Sequence, residues 1–499
     1  MRIKSEYLIL AILFIIIFSV RLYFAFQSDN YLLDAYYTIR QVDHILDTGL
    51  PVFKDNLSYG GRTLFQGFLY FYVLAFFRLF LPEFVVYKII PNLLVTSIII
   101  IIYYLSLYLT QNKNTSLFSA YVSGFIPVFY LRTINDISVY SLVTPIILLF
   151  IYCMLRLYES RKYVFIIIIL ILFLRVIHPS VLLLIFSLLI YLIMIKFEGL
   201  PQLKEEIEII LFSTFLILWS IFITFKKPFL THGIFVIWQN IPSEILINYF
   251  KDISIIESIY SIGLIPLIFG VYTIYKYLFK EKNRKLYLII SFSISISISL
   301  WLKLISLVIG MLFLSPILVI LFSVYYKEFL QYLSKTRFQK KQYLFVLFFT
   351  MIFLIFSVIP SLYSADKALQ GTVTNSEIKA LEWISRNTED KAIILGNLYE
   401  GHLINTIGKR GNVIDTNFLL IDNIDQRFQD INIFYRTPLE TEAIRIIDKY
   451  GIGYIYFSQR TKELYNIQLL SFVSNKECFK EIYNKDDIQL YKSLCTLGI

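Results

Sequence analysis

Residues 26–62 read FQSDNYLLDAYYTIRQVDHILDTGLPVFKDNLSYGGR. The stretch follows an apolar run that starts at Leu8, and it carries Asp29, Asp34, Asp43, Asp47 and Asp55 in a chain that is otherwise oil. Asp34 opens a predicted short helix that runs to about Asp47. Ala35, Ile39, Val42 and Leu46 share one face at helical spacing, with Asp34, Thr38 and Gln41 on another. Gly49 and Pro51 end it. Such a helix can lie on a membrane surface and hold one carboxylate at the rim of the bilayer. A solvated loop helix is the plainer alternative, and the rest of the chain has to decide between them.

The 499 residues are 57% hydrophobic and 17% aromatic, with a mean hydropathy of +0.68. That excludes a soluble globular protein and implies a multi-pass helical membrane protein. The apolar runs are too long and continuous for barrel strands. The net charge of +10 does not imply nucleic acid, because the basic residues cluster in short loops between apolar runs. Three cysteines make no disulfide framework. Cys153 lies in an apolar run and is read as packing, while Cys478 and Cys495 can pair if the C-terminal region faces an oxidising side. The N-terminal MRIKSEY and the run after it resemble a signal peptide, but no small-residue cleavage site follows, so a retained anchor is expected.

The predicted spans are Leu8–Phe26, Val85–Leu109, Leu117–Leu131, Val139–Leu155, Tyr163–Ile177, Val181–Ile195, Ile209–Phe225, Ile259–Leu278, Leu286–Trp301, Leu304–Tyr325 and Tyr343–Pro360. Leu64–Phe80 is apolar but short, and whether it crosses sets the sidedness of everything after it. If it does not cross, the loops at 110–115, 156–162, 196–206, 276–285 and 327–341 are cytoplasmic and hold sixteen Lys and Arg, against six in the opposite loops after residue 110. The positive-inside rule therefore favours about eleven spans, a cytoplasmic N-terminus and a large external first loop, 27–84.

Chosen from basic residues alone, this topology also gathers Asp34, Asp136, Arg132, Arg175, His178, Lys226, Lys227, Glu244 and Lys303 at one external face. A polar set collected at one interface of an oily protein is a functional-site hypothesis. Asp136 sits in RTINDISVYS, a very short turn between spans, where Asn135 and Asp136 also suit ordinary turn chemistry. Arg175 and His178 close a span in FLRVIHPS. A lone His before Pro is more often a helix-end residue, but the nearby Arg favours an anion-binding role. Lys303, beside Trp301, reads as a snorkelling anchor.

From Ser364 the composition changes. Residues 1–363 are expected to form the transmembrane domain and 364–499 a soluble extracytoplasmic α/β domain. Thr374 and Glu377 form a predicted capping box, as do Thr437 and Glu440 with Pro438 at the first helical position. Lys391–Gly396 and Gly453–Ser458 read as strands of a covered sheet. The sequence holds no glycine-rich phosphate loop, CxxC, HExxH or nucleophile elbow, which argues against a nucleotide-driven pump or a hydrolase with those signatures. It also lacks the internal repeat that marks many transporters.

Two external carboxylates ringed by Arg, Lys and His suit a lipid-linked anionic substrate. The basic groups would hold a phosphate or pyrophosphate. A carboxylate would act as general base on an acceptor hydroxyl, or Asp34 and Asp136 would share a divalent metal such as Mg or Mn. The chain resembles the GT-C glycosyltransferases, which use polyprenyl-phosphate-linked sugars, and within them the catalytic subunit of archaeal and bacterial oligosaccharyltransferases. The acidic first loop LDAYYTIRQVDHILDTGLPVFKDNLSYGG carries this resemblance, with Asp34 at the family's catalytic or metal-binding position. Arg132 with Asn135-Asp136 carries it too, in a one-acid form that also resembles protein mannosyltransferases. So does ILGNLYEGHLINTIGKRGNVIDTNF, residues 394–418, which resembles the segment around Trp-Trp-Asp-Tyr-Gly followed by Gly-x-Arg and Asp-x-Asn.

The resemblance spans most of the chain, with departures. Asn397-Leu398-Tyr399-Glu400-Gly401 keeps only the glycine of Trp-Trp-Asp-Tyr-Gly, and the link between Trp301 and Leu304 has no room for the family's long external loop with a catalytic glutamate. Glu244 lies in a different loop. The resemblance thus implies a cell-membrane transferase moving a sugar or oligosaccharide from a lipid-linked donor to a protein, glycan or lipid acceptor. Asp34 and Asp136 would be its acids, with Arg132, Arg175, His178, Lys226 and Glu244 contacting substrate. The competing classes are a transporter of lipid-linked glycans and a catalytically silent envelope relative.

Overall fold

The structure, a computed structural model, describes residues 5–65, 67–157, 159–250, 254–337 and 339–497. Contacts divide the chain into two compact units. Unit 1 comprises Met1–Asp29, Gln66–Thr224 and Tyr249–Gly371, and unit 2 comprises Asn30–Phe65, Phe225–Asn248 and Thr372–Ile499. This differs from a single cut at residue 363, because two loop segments fold with the C-terminal residues.

Along the chain run α1 (Ser5–Ala25), α2 (Ala35–Thr48), α3 (Leu69–Arg78), α4 (Glu83–Thr96), α5 (Ile98–Thr110), α6 (Lys113–Gly124), α7 (Pro127–Thr133), α8 (Tyr140–Leu155), α9 (Lys162–Ile177), α10 (Val181–Phe197) and α11 (Lys204–His232). Then come α12 (Ser243–Ile247), α13 (Ile255–Ile262), α14 (Leu264–Phe279), α15 (Arg284–Trp301), α16 (Leu307–Ser334), α17 (Gln342–Phe353) and α18 (Ile359–Gln370). Every predicted span is mostly helical, with breaks inside some of them, and among the described residues six helical segments are long and apolar enough to cross a membrane, or seven if the pair α13 and α14, bent by 87°, is one span. Leu69–Arg78, Tyr140–Leu155 and Val181–Phe197 are shorter apolar helices. At ten residues α3 is about 15 Å long, half the thickness of a hydrocarbon core.

Small residues let the helices of unit 1 approach closely. A Cβ on Gly310 of α16 would meet Leu300 of α15 at 2.4 Å, and one on Gly124 of α6 would meet Ile17 of α1 at 2.1 Å. Gly263, at φ 97°, makes the sharp bend between α13 and α14. Outward faces stay apolar, with Phe197, Phe215 and Phe222 exposed, as suits lipid-facing helices.

Unit 2 is built on a sheet. Its strands are β3 (Ile393–Leu395), β4 (Gly411–Asn412), β5 (Ile452–Phe457), β6 (Phe479–Lys485) and β7 (Ile488–Ser493), in the order β4-β3-β5-β7-β6. The pairs β3/β4 and β3/β5 are parallel, and β5/β7 and β6/β7 are antiparallel. A separate hairpin, β1 (Lys54–Asp55) and β2 (Arg62–Thr63), pairs Asp55 directly with Arg62. The turn between them joins the main sheet: Asn412 N–H donates to Leu57 O at 2.8 Å and Tyr59 N–H to Asn412 O at 2.9 Å. The first loop thus supplies an extra edge to the C-terminal sheet, which is why residues 30–65 fold with it. Leu395, Ile455, Phe457 and Phe434 centre the core.

The helix α19 (Asn375–Asn387) opens with the expected capping box of Thr374 and Glu377. The box expected at Thr437 and Glu440 does not form. The helix there starts at Glu440 with Leu439 as its cap residue, and the Thr437 hydroxyl accepts from Leu439 N at 3.1 Å and donates to Glu442 at 2.6 Å. Cys478 and Cys495 form a disulfide, and Cys153 is free and buried.

Candidate active site

Asp34 caps α2, as expected, and is exposed. Its side chain makes no capping bond, and among the described residues its carboxylate takes no hydrogen bond or ion pair. The rest of the helix is held hard. On the face they share with Asp34, Thr38 and Gln41 are buried, with the Gln41 side-chain oxygen accepting from Val52 N at 2.9 Å, which does not fit the plainer alternative of a solvated loop helix. Thr406 donates to Tyr36 O at 2.9 Å, and the Tyr37 ring packs on His402 with centroids 5.0 Å apart.

One turn on from Tyr37, Arg40 begins a chain of buried charges. Its guanidinium donates to Asp55 Oδ1 at 2.7 Å, and Asp55 Oδ2 accepts from Arg62 at 2.9 Å. Arg62 forks onto Asp415, with bonds of 2.7 and 2.6 Å, and also donates to Asn417 O. Burial works against the Asp415 charge, but Arg62 outweighs it and holds that carboxyl below the ordinary range. The same opposition, won by Arg40 and Arg62, lowers Asp55. Asn417 N–H donates to Asp415 Oδ1 at 2.9 Å in an Asx-turn, which fixes the acid for its partner.

His402 lies against this chain. Its Nδ1 is 3.9 Å from Asp415 Oδ2 and its Nε2 3.1 Å from Thr416 Oγ1. Burial lowers its pKa, against the pull of Asp415, so the imidazole is held neutral. Asp34 is within electrostatic reach of it. Deeper in unit 2, burial pushes the Glu400 carboxyl up to about 7 despite its bonds from Ser458, Thr461 and Asn397 N. The result is a carboxylate with no hydrogen bond or ion pair among the described residues, on a rigid mount, with a neutral histidine and neutralised charge pairs behind it. Chemically that is a proton acceptor.

The other candidates divide between the units. Lys226, exposed on α11, and Glu244, exposed in the first turn of α12, belong to unit 2 with Asp34. Asp136, Arg132, Arg175 and His178 belong to unit 1. Asp136 is half-buried between Asn135 at φ 58° and Ile137 at φ 50°. Arg132 is exposed at the end of α7. Arg175 is committed to α11, donating to Ser220 Oγ at 2.7 Å and Thr224 Oγ1 at 2.6 Å. His178 closes α9, bonds Ser180 at 2.6 Å and meets the Tyr140 ring at 5.1 Å, and Tyr140 also feels Asp136. No three His, Cys, Asp or Glu side chains gather as metal donors among the described residues, so the donor set does not fit a three-ligand metal centre.

Nothing local in the sequence marks Arg40, Arg62, His402 and Asp415 as one cluster. The one available signal was the Asp-x-Asn turn at 415–417.

No protein-family model matches the sequence, and no curated protein matches it. Solved structures do. An archaeal oligosaccharyltransferase, AglB from Archaeoglobus fulgidus, in complex with an inhibitory peptide and a dolichol-phosphate, is 14% identical, with a TM-score of 0.68 over 99% of this chain and 75% of that one. A. fulgidus oligosaccharyltransferase with Zn and sulfate is also 14% identical, with a TM-score of 0.61 over 96% and 73%. ArnT from Cupriavidus metallidurans bound to undecaprenyl phosphate is 11% identical, with a TM-score of 0.56 over 99% of both chains. The fold of the chain is the GT-C fold that the resemblance implied: a helical membrane body with a C-terminal α/β unit.

Proposed function

We propose that the chain is an integral membrane glycosyltransferase. It moves a sugar or oligosaccharide from a polyprenyl-phosphate-type donor to an acceptor outside the cytoplasm. The observation that carries this reading is Asp34: an exposed carboxylate that, among the described residues, takes no hydrogen bond or ion pair, at the start of a helix whose next five residues are buried. Likeness to AglB with dolichol-phosphate and to ArnT with undecaprenyl phosphate supports a lipid-phosphate donor.

In this reading an acceptor hydroxyl attacks the anomeric carbon of the donor sugar. The bond from that carbon to the phosphate oxygen breaks, and the lipid phosphate leaves with the electron pair. The acceptor proton passes to the Asp34 carboxylate. Asp136 is the second acid of the machinery. Arg132 and Lys226, both exposed cations, are assigned to the phosphate. Arg175 and His178 contribute through the helix ends they brace, and Glu244 is assigned to the acceptor side of unit 2. The N-terminus is cytoplasmic and unit 2 extracytoplasmic. The Cys478–Cys495 disulfide supports that sidedness, since such bonds persist in oxidising compartments.

The test is transfer of radiolabelled sugar from total polyprenyl-linked donors in membranes carrying the wild-type chain or Asp34→Asn. Label moved by the wild type and lost by about 10²-fold or more in the variant is the expected result. The labelled product then names the acceptor as protein, glycan or lipid. No transfer by folded wild-type protein in competent membranes overturns the reading in favour of a transporter or a silent relative.

A further inference from the structure

Unit 1 buries two cations, Arg21 of α1 and Lys88 of α4, at 1% and 3% exposure. Cations inside membrane helices are costly and retained for a task. Here they are joined through one asparagine and aimed at one turn. Arg21 Nε donates to Asn92 Oδ1 at 3.0 Å, its other arm donates to Thr133 Oγ1, and the guanidinium lies 4.9 Å from the Tyr130 ring centroid. Asn92 Nδ2 donates back to Lys88 O at 2.8 Å. Lys88 Nζ donates to Ala25 O at 2.6 Å, to Ser28 O and, over a longer 3.5 Å, to Asn135 Oδ1. Thr133 and Asn135 lie three residues and one residue before Asp136.

The turn itself is strained. Asn135 tolerates its left-handed backbone, but Ile137 at φ 50° is β-branched, and such a residue adopts that region only under constraint. Strained backbone persists where surrounding structure over-determines it. Thr133, Ile134, Asn135 and Ile137 are all buried, and Asp136 alone of residues 133–137 is not. The shape of the turn therefore leaves Asp136 half-buried while its neighbours are buried.

We propose that Lys88 and Arg21 are positioning residues that hold this turn so that Asp136 is presented to substrate. The proposal rests on the assignment of Asp136 to the machinery. The cations hold the side chains of Thr133 and Asn135, the residues that lead into the acid.

A double-mutant cycle on the full chain in native-lipid vesicles tests this, with total polyprenyl-linked radiolabelled glycolipids as donor. Lys88→Met is expected to lower kcat by about 10²-fold, the effect of roughly 1 Å of misplacement, with the donor KM nearly unchanged. In an Asp136→Asn background the same change is expected to cost less than about twofold, because the group it positions is already gone. Full multiplicative loss in the double variant, or normal kcat in Lys88→Met, overturns the proposal and leaves the transferase reading standing. Wild-type transfer by Asp136→Asn instead removes the assignment of Asp136, and the proposal with it. If Lys88→Met does not fold, Asn135→Gly keeps the left-handed backbone and deletes only the side-chain contact. A kcat fall of about tenfold is expected there, and an unchanged kcat overturns the proposal.

Discussion

Asp55, Arg62 and Asp415 are held together out of water, and among the described residues Arg62 is the only cation that touches both acids. Removing it leaves Asp415 without its ion pair and Asp55 with Arg40 alone. Arg62→Met is expected to destabilise the protein by about 3–5 kcal/mol, read as a lowered thermal midpoint, because an uncompensated buried charge costs far more than the pair contributes. Glu400 gives the opposite pH signature. Its folded pKa, about 7, stands above the ordinary 4.5, so the folded state holds the proton longer than the unfolded chain. The associated stability is fully present below about pH 4.5 and is lost as pH rises through about 7, by roughly 3 kcal/mol. Melting Glu400→Gln across pH 4.5–8 should show that slope flattened, and an unaltered slope would remove Glu400 as its source. The sequence made Asp34 legible, because a carboxylate at the start of an amphipathic run announces itself locally, and it marked Asp415 through the Asp-x-Asn turn, but not the pairing of Asp415 with Arg62. The bond from Arg62 to Asp415 spans 353 positions, and no periodicity encodes a partner that far away.

At the scale of elements, local signals read well where chemistry closes within one turn. Thr374 and Glu377 formed their box and Gly49 ended α2 in the left-handed conformation. Thr437 misled because it already closes the preceding helix, Ile424–Arg436, with its N–H on Ile433 O at 2.8 Å. It is held as a helix end, so its hydroxyl reaches Leu439 N and Glu442 rather than the first turn expected. The hairpin of β6 and β7 went unread, although Asp486-Asp487 turns it with both residues left-handed. Gly401, the one residue kept from the family's pentapeptide, has a packing reason. A Cβ there would sit 2.2 Å from Ile414 O and 2.6 Å from Asp415 Cβ. Gly401→Ala must push the Asp415 loop away from Arg62. The expected cost is about 1–3 kcal/mol, with a parallel fall in transfer rate. A variant as stable as wild type would show that the loop yields freely.

Over the whole molecule, hydropathy located each membrane helix but not the breaks between them. The run 117–131 reads as one span yet divides into α6 and α7 at Phe125, and the run 259–278 bends at Gly263. Among the described residues six helices are long and apolar enough to cross a membrane, seven with the bent pair, against about eleven expected spans; Tyr140–Leu155 and Val181–Phe197 are among the shorter apolar helices. Sidedness rests on different physics, since lysine and arginine excess acts on loops whatever the helices between them do. In the proposed topology the excess of sixteen basic residues against six favours an inside position for the loop between α14 and α15, and the Cys478–Cys495 disulfide supports an outside position for unit 2. The two arguments are independent and can be tested together. Cys153 is buried and the other two cysteines are paired, so a single cysteine at an exposed site is the only thiol open to reagent. Lys391→Cys in unit 2 is expected to take a membrane-impermeant maleimide in intact cells, and Lys282→Cys only after permeabilisation. Both lysines are exposed, so access rather than burial decides the result. The reverse pattern would put Asp34 and the disulfide on the reducing side, and an extracytoplasmic acceptor could not then be reached from this site.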